Sequence, residues 1–155
     1  MTATSTNRTA IFPGSFRPFT IGHADIVERA LALFDKVVIA VGVNKAKQGD
    51  AENAGKAVET IKSLYASEPR VAVTAYSTLT VQLATSLDAK FIIRGIRSVK
   101  DFEYERDMAQ VNAQLSGIET VVLFSRPELA TVSSSLVREL DSFGMDTAQF
   151  LPKTV

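Results

Sequence analysis

The chain has 155 residues, with 17 basic side chains against 17 acidic ones, a single histidine and no cysteine. That length suits one compact domain with a real core, and the balanced charge argues against a nucleic-acid polyanion or a membrane surface as the main partner. Disulfides, thiol chemistry and a His/Cys metal cage are excluded, so any metal has to be held by oxygen ligands such as a substrate's phosphates.

Residues 1–8 read as a polar N-terminal tail, because "MTATSTN" has no apolar stretch. No later run is long enough to cross a bilayer, and a cytoplasmic protein is expected. Short β-branched runs follow at 9–12, 36–43, 71–76, 90–95 and 119–124. They are apolar on nearly every residue, as in strands covered on both faces. Between them lie stretches of helical period: Ile26, Val27, Ala30, Leu31 and Phe34, then segments in 56–65, 81–87, 101–115 and 134–143. Strand and helix alternate, which predicts an α/β fold with a doubly wound, five-stranded parallel sheet. The stretch "NKAKQGDAENAGKA" (44–57) is polar and small, and reads either as a mobile active-site loop or as a solvated connection.

Ligands of such sheets bind beyond the carboxyl ends of the strands, where the winding reverses. If strands 1 and 4 flank that point, function falls on "PGSFRPFTIGH" and "RGIRSVKDFEYE". In the first segment, Gly14 and Gly22 allow the backbone to approach a ligand and Thr20 can cap the next helix. The helix N-terminus then offers N–H groups and a positive dipole end to a phosphate, with His23 in the first turn. A lone histidine is more often structural; the Thr-x-Gly-His spacing at a strand-to-helix turn favours a functional one here. The serines 133–135 open another helix, where one hydroxyl suffices for a cap and three are present. Asp101, Glu105, Met108 and Asn112 share one helix face by their spacings of four, three and four.

"PGSF" followed by "TIGH" resembles the T/H-x-G-H signature of the nucleotidyltransferases, and "IIRGIRSVKDFEYE" with "VSSSLVRE" is similar to the bacterial phosphopantetheine adenylyltransferases from Thr9 to about Pro152. The resemblance implies a Rossmann-like nucleotidyltransferase fold over 1–155. It also implies transfer of the adenylyl group of ATP to 4'-phosphopantetheine, giving dephospho-coenzyme A and pyrophosphate. By the same resemblance His23, Lys47 and Arg94 are catalytic, His23 donating to the α-phosphate and the two cations gripping the acceptor's phosphate. Ser15, Thr80, Met108 and Asn112 join Lys47 and Arg94 in binding that acceptor. ATP is assigned to Ser15, Phe16, His23, Gly95, Ile96, Arg97, Glu105, Leu129, Ala130, Thr131, Val132, Ser133, Ser134 and Ser135. Magnesium is expected to arrive with ATP, with no metal held by protein ligands alone. A homohexamer is expected, with coenzyme A as a candidate feedback ligand.

Four departures stand out. Arg17 occupies a position where relatives commonly have Asp, and "QGDAENAGK" replaces an apolar pair and a helix-opening Ser/Thr-x-x-Glu. Leu129, Ala130 and Thr131 replace a frequent Trp-Ser-Phe, and Thr78 a frequent Asp. Two rival readings remain open at this point: a nucleotidyltransferase for another phosphate, and a non-catalytic nucleotide or coenzyme A binding module.

Overall fold

The computed structural model describes residues 7–154, so residues 1–6 of the expected tail lie outside the described residues. Residues 7 and 8 are tied in: the Arg8 N–H and guanidinium both donate to Asp35, at 3.0 and 3.3 Å.

The strands are β1 (Thr9–Gly14), β2 (Lys36–Gly42), β3 (Val71–Tyr76), β4 (Phe91–Ile96) and β5 (Glu119–Phe124). The helices are α1 (Ile21–Leu31), α2 (Asp50–Leu64), α3 (Thr80–Ser86), α4 (Val99–Ser116) and α5 (Ser134–Ser142), with 3-10 turns at Pro127–Leu129 and Ala148–Phe150. All strands run parallel in the order β3-β2-β1-β4-β5. Sheet and helices therefore follow the expected α/β plan, with winding reversing between β1 and β4.

Alternation along the strands sends side chains into two cores. Ala10, Phe12, Val37, Ile39 and Val41 meet Ile26, Val27 and Ala30 of α1 and Ala54, Val58 and Ile61 of α2 on one face. Ile11, Ala40 and Ile92 meet Val81 and Ala84 of α3 on the other, where α4 also packs against β4, β5 and α3. Central strands β1 and β2 are almost wholly buried, while edge strands β3 and β5 are half-buried. None of the described helices is long and apolar enough to cross a membrane.

One expectation needs correcting. The segment 44–57 is not one long loop: only 43–49 connects β2 to α2, which begins at Asp50. Gly49 sits in the left-handed region at φ 77°, where glycine avoids the clash other residues meet, and Asp50 and Glu52 in the first turn complement the positive end of the helix.

The seam at the switch point is unusual. β1 pairs with β2 at six positions, from Thr9–Lys36 to Gly14–Val41, but with β4 only at Ala10–Phe91 and Ile11–Ile92. Beyond these the strands part. Pro13, which has no N–H to donate, lies just past the last pairing, and the Pro13 carbonyl instead accepts Arg94 Nη1 at 2.7 Å. The crevice so opened is floored by an arginine.

Candidate active site

Three cavities meet around Gly14 and Ser15 at the carboxyl end of β1. The first, about 320 Å³, lies between the start of α1, β4 and the start of α5 and is lined by His23, Arg94, Arg97 and the three serines among others. A second, about 170 Å³, shares Pro13, Gly14 and Arg94 with it and adds Thr80, Glu105, Met108 and Asn112. The third, about 550 Å³, shares Ser15 and adds Arg17, Lys47 and Asp50; Tyr76 borders the second and third.

His23 is the N3 residue of α1, and its position is set by a reciprocal cap. The Thr20 hydroxyl accepts the His23 N–H at 3.4 Å, while His23 Nδ1 accepts the Thr20 N–H at 2.9 Å. Because Nδ1 is an acceptor, the proton of the neutral ring is on Nε2, leaving that N–H for a ligand. Phe19 stacks on the imidazole at 5.4 Å and Phe16 meets it edge-on at 5.0 Å. This burial, with the positive charges of Arg97 and Arg94, lowers the His23 pKa from 6.5 to about 4. His23 is therefore a neutral hydrogen-bond donor across the physiological range.

This has a direct test, because the protein has one histidine and so one imidazole signal in a tag-free NMR titration. The midpoint is expected at about 4; a midpoint near 6.5 would refute the neutral donor. The same shift sets a stability trend. The unfolded state takes up the proton at higher pH than the folded one, so this contribution is fully present above pH 6.5 and is lost as pH falls towards about 4.

Phe16 is held at φ 48°, left-handed backbone that a bulky residue rarely adopts. A Cβ on Gly14 would lie 2.8 Å from the Phe16 ring. The ring folded over Gly14 leaves no room for a Cβ, while Gly14 also lines the first and second cavities. A Cβ on Gly95 would press on Ile26 at 3.3 Å, so Gly95 serves the packing of α1 on β4 while also lining the first cavity.

Arg94 is gripped on two sides. Glu105 accepts its Nε at 2.8 Å and its Nη2 at 2.7 Å, a bidentate pair, while Pro13 holds Nη1. Glu105 is 7% exposed. It lines the cavity with Thr80, Met108 and Asn112 and not the one with the serines. The Thr80 hydroxyl pairs with that of Tyr76 at 2.9 Å.

The serines divide their tasks. Ser133 caps α5 by accepting the Leu136 N–H at 3.1 Å, Ser134 donates to the Pro18 carbonyl at 2.7 Å, and Ser135 accepts from Arg138 at 3.3 Å. The first-turn amides of α5 have no partner within their own helix and open, with the serines, on the first cavity. Leu129 and Val132 line this cavity too, whereas Ile96, Ala130 and Thr131 do not; Ala130 takes part through its carbonyl, which accepts Arg97 Nη1 at 3.3 Å. Arg138 is not among the residues the sequence singles out. It stands one turn past Ser134 on α5 and borders both the first and third cavities, so its spacing from the serine run was the available signal.

The cationic lining of the first cavity, Arg94, Arg97 and Arg138, contains no carboxylate among the described residues. Such a lining suits a polyanion. It has no acid and base paired for hydrolysis, and what it offers a reacting phosphate is position and donated hydrogen bonds.

A parallel sheet parted at its switch point, with a Thr-capped Gly-His helix start facing arginines and a serine-opened helix, defines a nucleotidyltransferase. The cytidylyltransferase-like family profile matches residues 11–140. The phosphopantetheine adenylyltransferase of Phocaeicola vulgatus is 52% identical over 146 residues, covering 94% of this chain and 96% of that protein. That of Leuconostoc citreum is 47% identical over 147 residues, covering 94% and 92%. The bifunctional NMN adenylyltransferase/ADP ribose pyrophosphatase of Francisella tularensis shares the fold, with a TM-score of 0.69 at 15% identity over 96% of this chain and 46% of that one. The chain belongs to the phosphopantetheine adenylyltransferase family.

Proposed function

We infer that this protein transfers the adenylyl group of ATP to 4'-phosphopantetheine, forming dephospho-coenzyme A and releasing pyrophosphate. The observation that carries the reading is the meeting of three cavities at Gly14 and Ser15, with Arg94 shared by the one that holds His23, Arg97 and the α5 serines and the one that holds Thr80, Met108 and Asn112. ATP belongs in the cavity of His23, Arg97 and the α5 serines. The acceptor's arm belongs beside Thr80, Met108 and Asn112, with its phosphate between Arg94 and Lys47.

An oxygen of the acceptor phosphate attacks the α-phosphorus of ATP, and the bond from that phosphorus to the bridging oxygen breaks, so that pyrophosphate leaves with the electron pair. A phosphate monoester has its second pKa near 6, so the nucleophile is already largely dianionic at neutral pH and no general base is needed. The His23 Nε2–H donates to a non-bridging α-phosphate oxygen as charge builds there, and Arg94 and Lys47 hold the nucleophile in line. When bound with ATP, magnesium would supply neutralisation of part of the triphosphate charge, held by the phosphate oxygens.

Cytoplasmic location and a homohexamer belong to the same reading. Support for an assembly comes from an apolar patch in which Val99 is 76% and Phe124 71% exposed, next to Phe102. Sedimentation checks it against the 16.8 kDa of one chain. Coenzyme A, which contains the acceptor's arm and an adenine nucleotide, is the natural candidate for a feedback ligand.

The deciding experiment supplies ATP, magnesium and 4'-phosphopantetheine and follows pyrophosphate. Turnover is expected with this acceptor and not with dephosphorylated pantetheine. Its neutral alcohol has no base to activate it and no charge to meet Lys47 and Arg94. Ligand affinity without pyrophosphate release would establish a binding module instead, and turnover only with another phosphate would shift the substrate.

A further inference from the structure

The connection between β2 and α2 has almost no apolar side chain of its own, yet it is a closed turn. At its centre is Asp50, 2% exposed although it opens a helix. One carboxylate oxygen accepts the Asn44 N–H at 2.7 Å and the other pairs with Arg17 Nη1. Arg17 Nη2 reaches the carbonyls of Gly42 and Asp50, both at 3.4 Å. Around this pair the Asn44 side chain accepts the Ala46 N–H at 3.0 Å. The Lys47 N–H donates to the Asn44 carbonyl at 3.1 Å, and the Asp50 N–H to the Lys47 carbonyl at 3.2 Å. Residues 44–50 thus wrap one carboxylate and carry Lys47 at the apex.

Arg17 is fixed from behind, its own carbonyl accepting Arg138 Nη1 at 2.6 Å. It lies one residue beyond Phe16, which packs against His23, so the anchor of the turn is continuous with the backbone that shapes the site. We propose that Asp50 and Arg17 are a positioning pair, whose ion pair sets the β2–α2 turn so that Lys47 faces the acceptor's phosphate.

The inference rests on the function proposed above, in which Lys47 meets that phosphate. A charged anchor suits this turn, since a carboxylate accepting an N–H and a guanidinium together has far fewer acceptable geometries than an apolar contact. Arg17 and the Asn44 N–H also hold the Asp50 carboxyl below the usual carboxylate range, keeping the anchor charged at neutral pH. It also accounts for the reversed charge at position 17: Arg17 is not a stray cation beside the substrate but the partner of an acid the chain supplies at Asp50.

The test is a double-mutant cycle read as KM for each substrate, joined to hydrogen exchange over residues 44–49. Asp50→Ala is expected to raise the acceptor KM at least about tenfold, to leave the ATP KM within about twofold, and to speed exchange at Asn44 and Lys47 by a similar factor. Asp50→Asn keeps an acceptor for the Asn44 N–H and secures a folded variant, checked by circular dichroism, with a smaller shift in the same direction. In a Lys47→Ala background either substitution should add nothing further to the acceptor KM, because the pair acts through Lys47. Additive losses, or equal increases in both KM values, would make the pair merely structural and overturn the proposal. Were the parent itself inactive with phosphopantetheine, the proposed function would fall, and unchanged exchange over 44–49 in Asp50→Ala would separately overturn the anchor.

Discussion

His23→Ala is expected to lower kcat by about a hundredfold to a thousandfold while ATP affinity changes little, the usual loss for one donor aimed at charge that develops in the transition state. The reason lies in the tautomer. With Nδ1 occupied by the Thr20 N–H, the ring keeps Nε2–H free, and its depressed pKa keeps it a neutral donor; in the proposed function that donor would meet the α-phosphate, its bond strengthening as the phosphate gains charge. Removing the ring also takes the acceptor from Thr20, which costs about 1 kcal/mol as a lost cap, so the variant should fold. Equal falls in kcat and kcat/KM are the signature sought. Near-parental turnover would show that His23 is a capping residue and nothing more.

Arg94→Ala is expected to act twice. It removes a cation from the acceptor's phosphate, and it leaves the Glu105 carboxylate, 7% exposed, without its bidentate partner. Stranding a buried charge costs about 3–5 kcal/mol, and the lower end applies because Arg94 is itself 31% exposed. For a chain of this size that is a fall in Tm of roughly 6–12 °C. The double variant Arg94→Ala/Glu105→Gln separates the two effects: much of the Tm should return, because the stranded charge is gone, while acceptor KM stays high and ATP KM is only modestly changed. If acceptor binding recovers together with Tm, Arg94 is a structural arginine and does not read the phosphate.

The strands and the switch point were legible because apolar runs and glycine turns mark them directly, and the Thr-x-Gly-His spacing placed His23 at a helix start. The opening of α2 was hidden for a physical reason. Its inward face runs Asp50, Ala54, Val58, Ile61, and a face whose first buried member is an acid gives no hydrophobic signal until Val58. The Arg94–Glu105 pair was hidden differently. Each residue reads from the sequence as a ligand contact, but nothing in a strand and a helix eleven positions apart shows that they satisfy one another. The serine run likewise announced a phosphate-sized opening without revealing that each hydroxyl already has a partner inside the protein.

The parted seam between β1 and β4 makes the sheet two slabs, β3-β2-β1 and β4-β5, joined by two adjacent register pairs. Side chains of both halves share the cores above and below the seam, and polar ties that cross it include the Arg94 bridge to Pro13, the Arg29 side chain of α1 on the Phe124 carbonyl at 2.7 Å, and Asp25 of α1 holding Arg126 at 2.7 Å. In the proposed function a nucleotide in the crevice would touch both slabs and become part of the building, a keystone set into an arch. Its binding energy is then shared between recognition and masonry. Nucleotide should slow exchange in β1 and β4 together, including amides it never contacts, and substitutions that loosen the seam should weaken nucleotide binding from a distance.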